Sequence, residues 1–268
     1  MTAMRMPKFR FVDLSTPLAN PLPGEVNESN RARTPQIDYR DHKAMLPMAT
    51  KLLGCTPEDF PGENAWANEV ITLSSHHGTH VDAPYHYYPT CDGKPAPTIS
   101  ELPLDWFWGP AIVLDLRHIP ANTTVSVQDI KEALKKIDHE LEAGDIVCLY
   151  YGTDEKLGTP EYWTTFPGMS AEATEYIIQQ GVKVMGTDAM GFDIPFEQIK
   201  ANFAATGDRS KLWEAHRVGM KYPYSHIEKL ANLGAMPPKG AYIACFPVHI
   251  AHASAGWSRC VGFIPEEE

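Results

Sequence analysis

The chain has 268 residues, 43% of them hydrophobic and 21% charged, an ordinary globular composition with length enough for one large domain or two small ones. Its formal net charge of -11 argues against a nucleic-acid partner, which would need a basic face, and against polybasic docking on a membrane. No apolar run is long enough to span a bilayer, Met1 to Phe11 lacks the apolar core of a signal peptide, and the five scattered cysteines form no C-x-x-C pair, so a cytoplasmic protein with reduced thiols is expected.

Taken in chain order, Phe9 to Leu14 reads as a short strand. Residues 15–65 are rich in Pro, Asn and charge and read as a long irregular arm with a short helix around Asp41 to Leu53; loops of this length are usually functional or packed on a partner. Ala65 to His80 turns β-branched around Val70 and Ile71 and predicts a strand, as does Ala111 to Leu116. Ser126 to Leu141 predicts a helix, with Ser126 as cap, Asp129 three residues on, and Ile130, Leu134, Ile137 and Leu141 on one face. A strand over Ile146 to Tyr151 follows, then a helix over Ser170 to Gln180 stopped by Gly181, and a strand over Val182 to Met185 leading into Gly186-Thr187-Asp188. His226 to Leu233 predicts a short helix, and Tyr242 to Phe246 and Cys260 to Ile264 predict late strands. Strands alternate with helices in the middle and cluster at the ends, which indicates an α/β domain with a mixed sheet. No composition break divides residues 1–268.

Four of the eleven histidines fall between positions 76 and 86, beside an aspartate. Gly78, Thr79, Val81 and Pro84 disfavour a helix there, and in an extended strand His76, Gly78, His80 and Asp82 share one face, with His77 on the other. Two imidazoles and a carboxylate on one face suit a borderline divalent ion such as zinc or manganese, and Gly78 leaves it room. The bland alternative is a polar surface strand with chance histidines.

The segment His76-His77-Gly78-Thr79-His80-Val81-Asp82-Ala83-Pro84-Tyr85-His86 resembles, at every fixed position, the H-x-G-T-H-x-D-x-P-x-H signature of the cyclase family of metal-dependent hydrolases. Phe11 to Ser15, Gly109 to Asp115, Gly144 to Val147 and Gly186-Thr187-Asp188 resemble other family segments, and His216 stands twelve residues before Glu228, as the family's distal His and Glu do. The resemblance implies a swivelling β/β/α fold with helices flanking the sheet. It implies a first ion held by His76, His80 and Asp82, a second bridged by Asp82 and completed by His216 and Glu228 in relatives that hold two, and His86 as general acid/base. It further implies Zn2+ or Mn2+ as cofactor, a homodimer or homotetramer, and hydrolysis of a C–N bond in a small arylformamide, cyclic imide or lactam. The segment Phe246 to Cys260 is richer in His and aromatics than that pattern, and 15–65 matches none of it.

Trp66, Trp106, Phe107, Trp108 and Trp257 could line an aromatic pocket, although aromatics are mostly core, and Arg217 or Arg259 could pair a substrate carboxylate. Two further readings compete. His80, Asp82 and His216 also fit the two-His-one-carboxylate triad of a non-haem iron oxygenase, which leaves His76 and His86 unexplained. A non-catalytic metal-binding protein could close a site with His76, His80, Asp82 and His216, which again leaves His86 without a role.

Overall fold

The computed structural model describes residues 7–21 and 34–266; parts of Met1 to Phe11 and of the 15–65 segment lie outside these. Two compact units are distinguished, one made of residues 1–17 and 78–268, the other of Leu18–His77. The strands that matter here are β1 (Phe9–Asp13), β2 (Gln36–Arg40), β3 (Asn68–Thr72), β4 (His80–Asp82), β5 (Trp108–Asp115), β6 (Ile146–Tyr150), β7 (Val184–Thr187), β8 (Ser225–Glu228), β9 (Ala241–Ala244), β10 (Ala255–Trp257) and β11 (Val261–Pro265). The helices that matter here are α1 (Leu46–Leu53), α2 (Pro84–Tyr87), α3 (Val127–Lys136), α4 (Ala171–Gln179), α5 (Phe196–Thr206) and α6 (Glu214–Arg217). Among the described residues, no helix is long and apolar enough to cross a membrane.

The larger unit is built on a nine-stranded sheet in the order β1-β11-β9-β5-β6-β7-β8-β4-β10. β5 to β8 run parallel, and the strands on either side of them pair antiparallel, so the sheet is mixed and the fold is α/β. The sheet curls: beyond β1, the Ala231 N–H donates to the Leu14 carbonyl, and Ser15 bridges Leu230 just after β8.

Ile146-Val147-Cys148-Leu149 of β6 is apolar at every position because both faces are covered. Val147 and Leu149, with Ile112 and Leu114 of β5, pack against Ile130 and Leu134 of α3 and Ala173 and Ile177 of α4. Ile146 and Cys148, with Ala111 and Val113, face the inside of the curl, where Leu14, Val81, Ile227 and Ile243 join them. α3 begins where its capping box sets it: the Ser126 and Asp129 side chains each bond the other's backbone N–H. α4 is likewise capped by Ser170, whose hydroxyl accepts from the Ala173 N–H.

Three expectations are corrected here. His226 to Leu233 is not a helix, because Ser225–Glu228 pairs with β7 and β4. Strand character does not run to His80: β3 ends at Thr72, and residues 75–79 form turns and bends. The 15–65 segment is not irregular outside its helix, since β2 pairs with β3; the helix expected around Asp41 to Leu53 is present as α1, ended by Gly54 at φ 66. Helix α5 was not foreseen.

Candidate functional site

β4 and β8 are antiparallel neighbours, with His226 opposite Asp82, Ile227 opposite Val81 and Glu228 opposite His80. Side chains alternate along a strand, so two H-x-acid pairs, His80-x-Asp82 and His226-x-Glu228, lie on one face. Val81 and Ile227 turn into the core on the other. All four polar residues are buried. His80 Nε2 is 3.2 Å from Asp82 Oδ1 and 3.6 Å from Glu228 Oε2, and His226 Nε2 is 3.0 Å from Asp82 Oδ2 and 3.6 Å from Glu228 Oε1. His216 comes from the short helix α6, and its Nε2 is 3.8 Å from Glu228 Oε1. Single ligand atoms of Asp82, His216, His226 and Glu228 all lie within 4.8 Å of one another.

Each ring is oriented by a bond on its far side. His80 Nδ1 lies 2.9 Å from the carbonyl of Gly78, which sits at φ 63; this glycine makes the turn before β4 rather than a space along a strand. His216 Nδ1 lies 2.5 Å from Asp193 Oδ2, and the same carboxylate accepts the Ala215 and His216 backbone N–H groups, so Asp193 also caps α6. With Nδ1 turned to the Gly78 carbonyl and to the Asp193 carboxylate, the Nε2 atoms of both rings face the carboxylates of the cluster. His226 is stacked between Phe192 (4.3 Å, 7°) and Tyr87 (5.1 Å, 26°), and its Nδ1 is 3.2 Å from the Tyr87 hydroxyl.

α2 begins at Pro84 and returns the chain over the motif, which brings His86 Nε2 to 3.9 Å from Asp82 Oδ2. His86 keeps about a quarter of its side chain exposed and meets Trp213 edge-on at 5.1 Å. Trp213 also stacks on His216 at 4.1 Å. His76 is the next-to-last residue of the Leu18–His77 unit, in a turn.

Burial pushes the His80 imidazole down, and the nearby Lys229 ammonium does the same against the pull of Asp82. Burial also works against charge on His226, yet its bonds to Asp82 and Glu228 outweigh it and hold the ring at about 9. Burial alone would raise Glu228; the Lys229 ammonium and His226 reverse this, and its carboxyl lies well below the usual range. At the end of β7, burial takes the Asp188 carboxyl up to about 7, against the N–H groups of Tyr151 and Thr153 that it accepts at 3.0 and 2.9 Å.

The site thus brings together His80, Asp82, His86, His216 and Glu228 and adds three residues that sequence reasoning missed: His226, Asp193 and Trp213. His226 carried a legible signal, since His226-Ile227-Glu228 repeats the His80-Val81-Asp82 pattern. The expected aromatic set is dispersed. Phe107 is core, Trp108 stacks on Tyr242 at 5.9 Å, Trp66 is exposed, and only Trp257, in register with His80, is on a strand adjoining the centre. Arg259 forms a two-pronged pair with Asp13 (2.8 and 2.6 Å), and Arg217 donates to the Arg209 carbonyl at 2.7 Å, so both have structural partners.

Comparison with known proteins gives consistent likenesses. The family model described as "Putative cyclase" matches residues 12–194. A kynurenine formamidase of Erythrobacter litoralis is 29% identical over 192 residues, covering 71% of this chain and 74% of that protein. An isatin hydrolase of Roseibium aggregatum is 23% identical over 205 residues, covering 73% of this chain and 74% of that protein. In fold, the chain resembles an isatin hydrolase bound to the product analogue thioisatinate, with a TM-score of 0.72 at 19% identity over 96% of this chain and 93% of that one. It also resembles isatin hydrolase A from Labrenzia aggregata bound to benzyl benzoate, with a TM-score of 0.73 at 21% identity over 96% and 94%.

Proposed function

This chain belongs to the cyclase family, and from that premise we propose that it is a metal-dependent hydrolase that cleaves the C–N bond of a small arylformamide, cyclic imide or lactam. The observation that carries this reading is the pair of facing H-x-acid strands, joined by His216, with the rings of His80 and His216 turned by Gly78 and Asp193 so that Nε2 faces inward. An all nitrogen-and-oxygen donor set without thiolate suits a borderline or hard divalent ion, Zn2+ or Mn2+. His76, His80 and Asp82 would hold the first ion, His76 on the strength of the motif alone; Asp82, His216 and Glu228 are the residues a second would use. Two carboxylates face the centre, one more than an iron oxygenase triad employs, which favours hydrolysis.

A bound divalent ion would supply Lewis acidity and lower the pKa of a water to about 7. His86 then has the role of proton carrier: its Nε2 takes the proton from the attacking water and passes it to the departing nitrogen. Asp82 Oδ2 lies 3.9 Å from His86 Nε2. An amide nitrogen departs poorly as an anion, so this second transfer is what suits the site to C–N bonds. We read residues 1–268 as one cyclase-like domain, because the family match runs through both units, and the protein as a cytoplasmic homodimer or homotetramer. Tyr39, Leu52, Leu53, Val70 and Ile71 of the smaller unit, all exposed, support self-association.

The test is hydrolysis of a panel of arylformamides, cyclic imides and lactams by chelator-treated protein before and after addition of Zn2+ or Mn2+. Metal-restored turnover of at least one class is expected. Turnover indifferent to chelation, or none on any class by protein that holds metal, would overturn the proposal.

Asp193 is predicted to act on the ion through His216. Asp193→Ala should weaken metal affinity by about 10–100-fold, read by competition with a chromogenic chelator. Unchanged affinity would reduce Asp193 to a cap for α6.

A further inference from the structure

We infer that Trp213 is a specificity-determining residue: its indole is the aromatic wall beside His86 on which a planar ring joined directly to the scissile amide stacks. This rests on the reading of the site as an amide hydrolase, and it gives a role to a side chain that neither holds an ion nor moves a proton.

Trp213 stands at φ 58 and ψ 48, a left-handed conformation that a bulky side chain rarely adopts. The chain on both sides of it is tied down. Before it, the Leu212 N–H donates to the Arg209 carbonyl at 3.3 Å. After it, Asp193 accepts the Ala215 and His216 N–H groups, and the carbonyl of Trp213 accepts the Arg217 N–H at 3.1 Å. Glu214, next in sequence, is buried, and its Oε2 takes the Lys211 ammonium at 2.9 Å and the Ala171 N–H at 3.3 Å. An unfavourable backbone held by this many contacts is the kind found at ligand clamps and active sites.

This backbone sets the indole in a corner of rings. Trp213 lies nearly parallel to His216, at 4.1 Å and 18°, and perpendicular to His86, at 5.1 Å and 83°. Tyr87 meets both imidazoles edge-on, and His226 meets His216 edge-on. Tyr87, His216 and His226 are buried, whereas His86 and Trp213 are partly open to solvent, and these two touch. A substrate that brings its nitrogen to His86 from the solvent side therefore meets the indole. Aromatic pairs are favourable with ring centres about 4.5–7 Å apart, in offset-stacked or edge-to-face arrangement. With His86 already 5.1 Å from the indole centre, a ring bonded directly to the amide nitrogen, or fused to its ring, falls within that range. A saturated ring of the same size covers similar area and lacks the π face.

The test compares kcat/KM for N-phenylformamide with that for N-cyclohexylformamide, and for phthalimide with that for its saturated cyclohexane analogue, with metal per chain counted by plasma mass spectrometry. Taking the ratio within each protein removes differences in intrinsic reactivity. Trp213→Asn deletes the ring and substitutes a residue that tolerates positive φ. Its aryl-to-saturated ratio is expected to fall by about 3–10-fold, the worth of an aromatic pair, at wild-type metal content. Trp213→Phe keeps an aromatic face and is expected to stay within about twofold of the wild-type ratio. Trp213→Leu repeats the measurement should the Asn variant not fold, as judged by circular dichroism and gel filtration. An unchanged ratio, an equal loss on both members of each pair, or loss of metal with the ring would overturn the inference, the last by reducing Trp213 to a support for His216. Metal-loaded wild type that turns over none of the four would remove the hydrolase reading and this role with it; the other failures are told apart because wild-type turnover is then intact.

Discussion

Asp82→Ala is expected to leave the purified protein with less than about a tenth of the wild-type metal and to lower kcat/KM by about 10³-fold or more, since activation of water is lost with the ion. Asp82 stands at the centre of the cluster: one oxygen faces His80 at 3.2 Å, and the other faces His226 at 3.0 Å and His86 at 3.9 Å. Its side chain is fully buried, and removing one member of a buried charged set costs about 3–5 kcal/mol, so the variant's fold must be checked by its thermal transition. Asp82→Asn keeps the volume and loses only the charge. It should show the same metal loss with a smaller drop in stability. Metal analysis and steady-state kinetics on both variants decide the matter; either variant holding a full complement of metal would remove Asp82 from the ligand set.

His86→Ala is expected to do the opposite with respect to the metal. The ion should remain at wild-type occupancy while kcat falls by about 10²–10⁴-fold, the usual worth of a positioned acid/base. His86 lies at the edge of the cluster, partly open to solvent, and its ring meets Trp213 edge-on. The loss should depend on the leaving group. An amide needs a proton on its departing nitrogen, whereas an activated ester departs largely unaided, so the ratio of amide to ester turnover should fall in the variant. A variant that hydrolyses amides at the wild-type rate excludes His86 from proton transfer.

The fold was legible where local physics decides it. The capping box at Ser126 and Asp129, the apolar face of Ile130 and Leu134, and the fully apolar run from Ile146 to Leu149 specify a helix and a doubly covered strand without outside help. Legibility failed at Ser225–Glu228. Ser-His-Ile-Glu, with a single apolar residue among polar ones, fits a helix turn and a strand equally well, and spacing alone does not separate them. What decides is pairing: β7 on one side and β4 on the other supply the backbone partners for this segment. Misreading it concealed His226, whose side chain shares a face with Glu228 only in a strand.

Within one stretch of chain, the sequence by itself determined the candidate donor set: imidazole and carboxylate two residues apart at His80 and Asp82, and a further imidazole, His86, four residues on from Asp82. Only the tertiary structure decided which distant residues meet them. His226 comes to Asp82 from 144 positions away, and Asp193 reaches His216 across 23. Side-chain alternation is a property of each strand and is written locally. Register between strands is set by which apolar faces pack together, Val81 beside Ile227 in this case, and that is a property of the whole core.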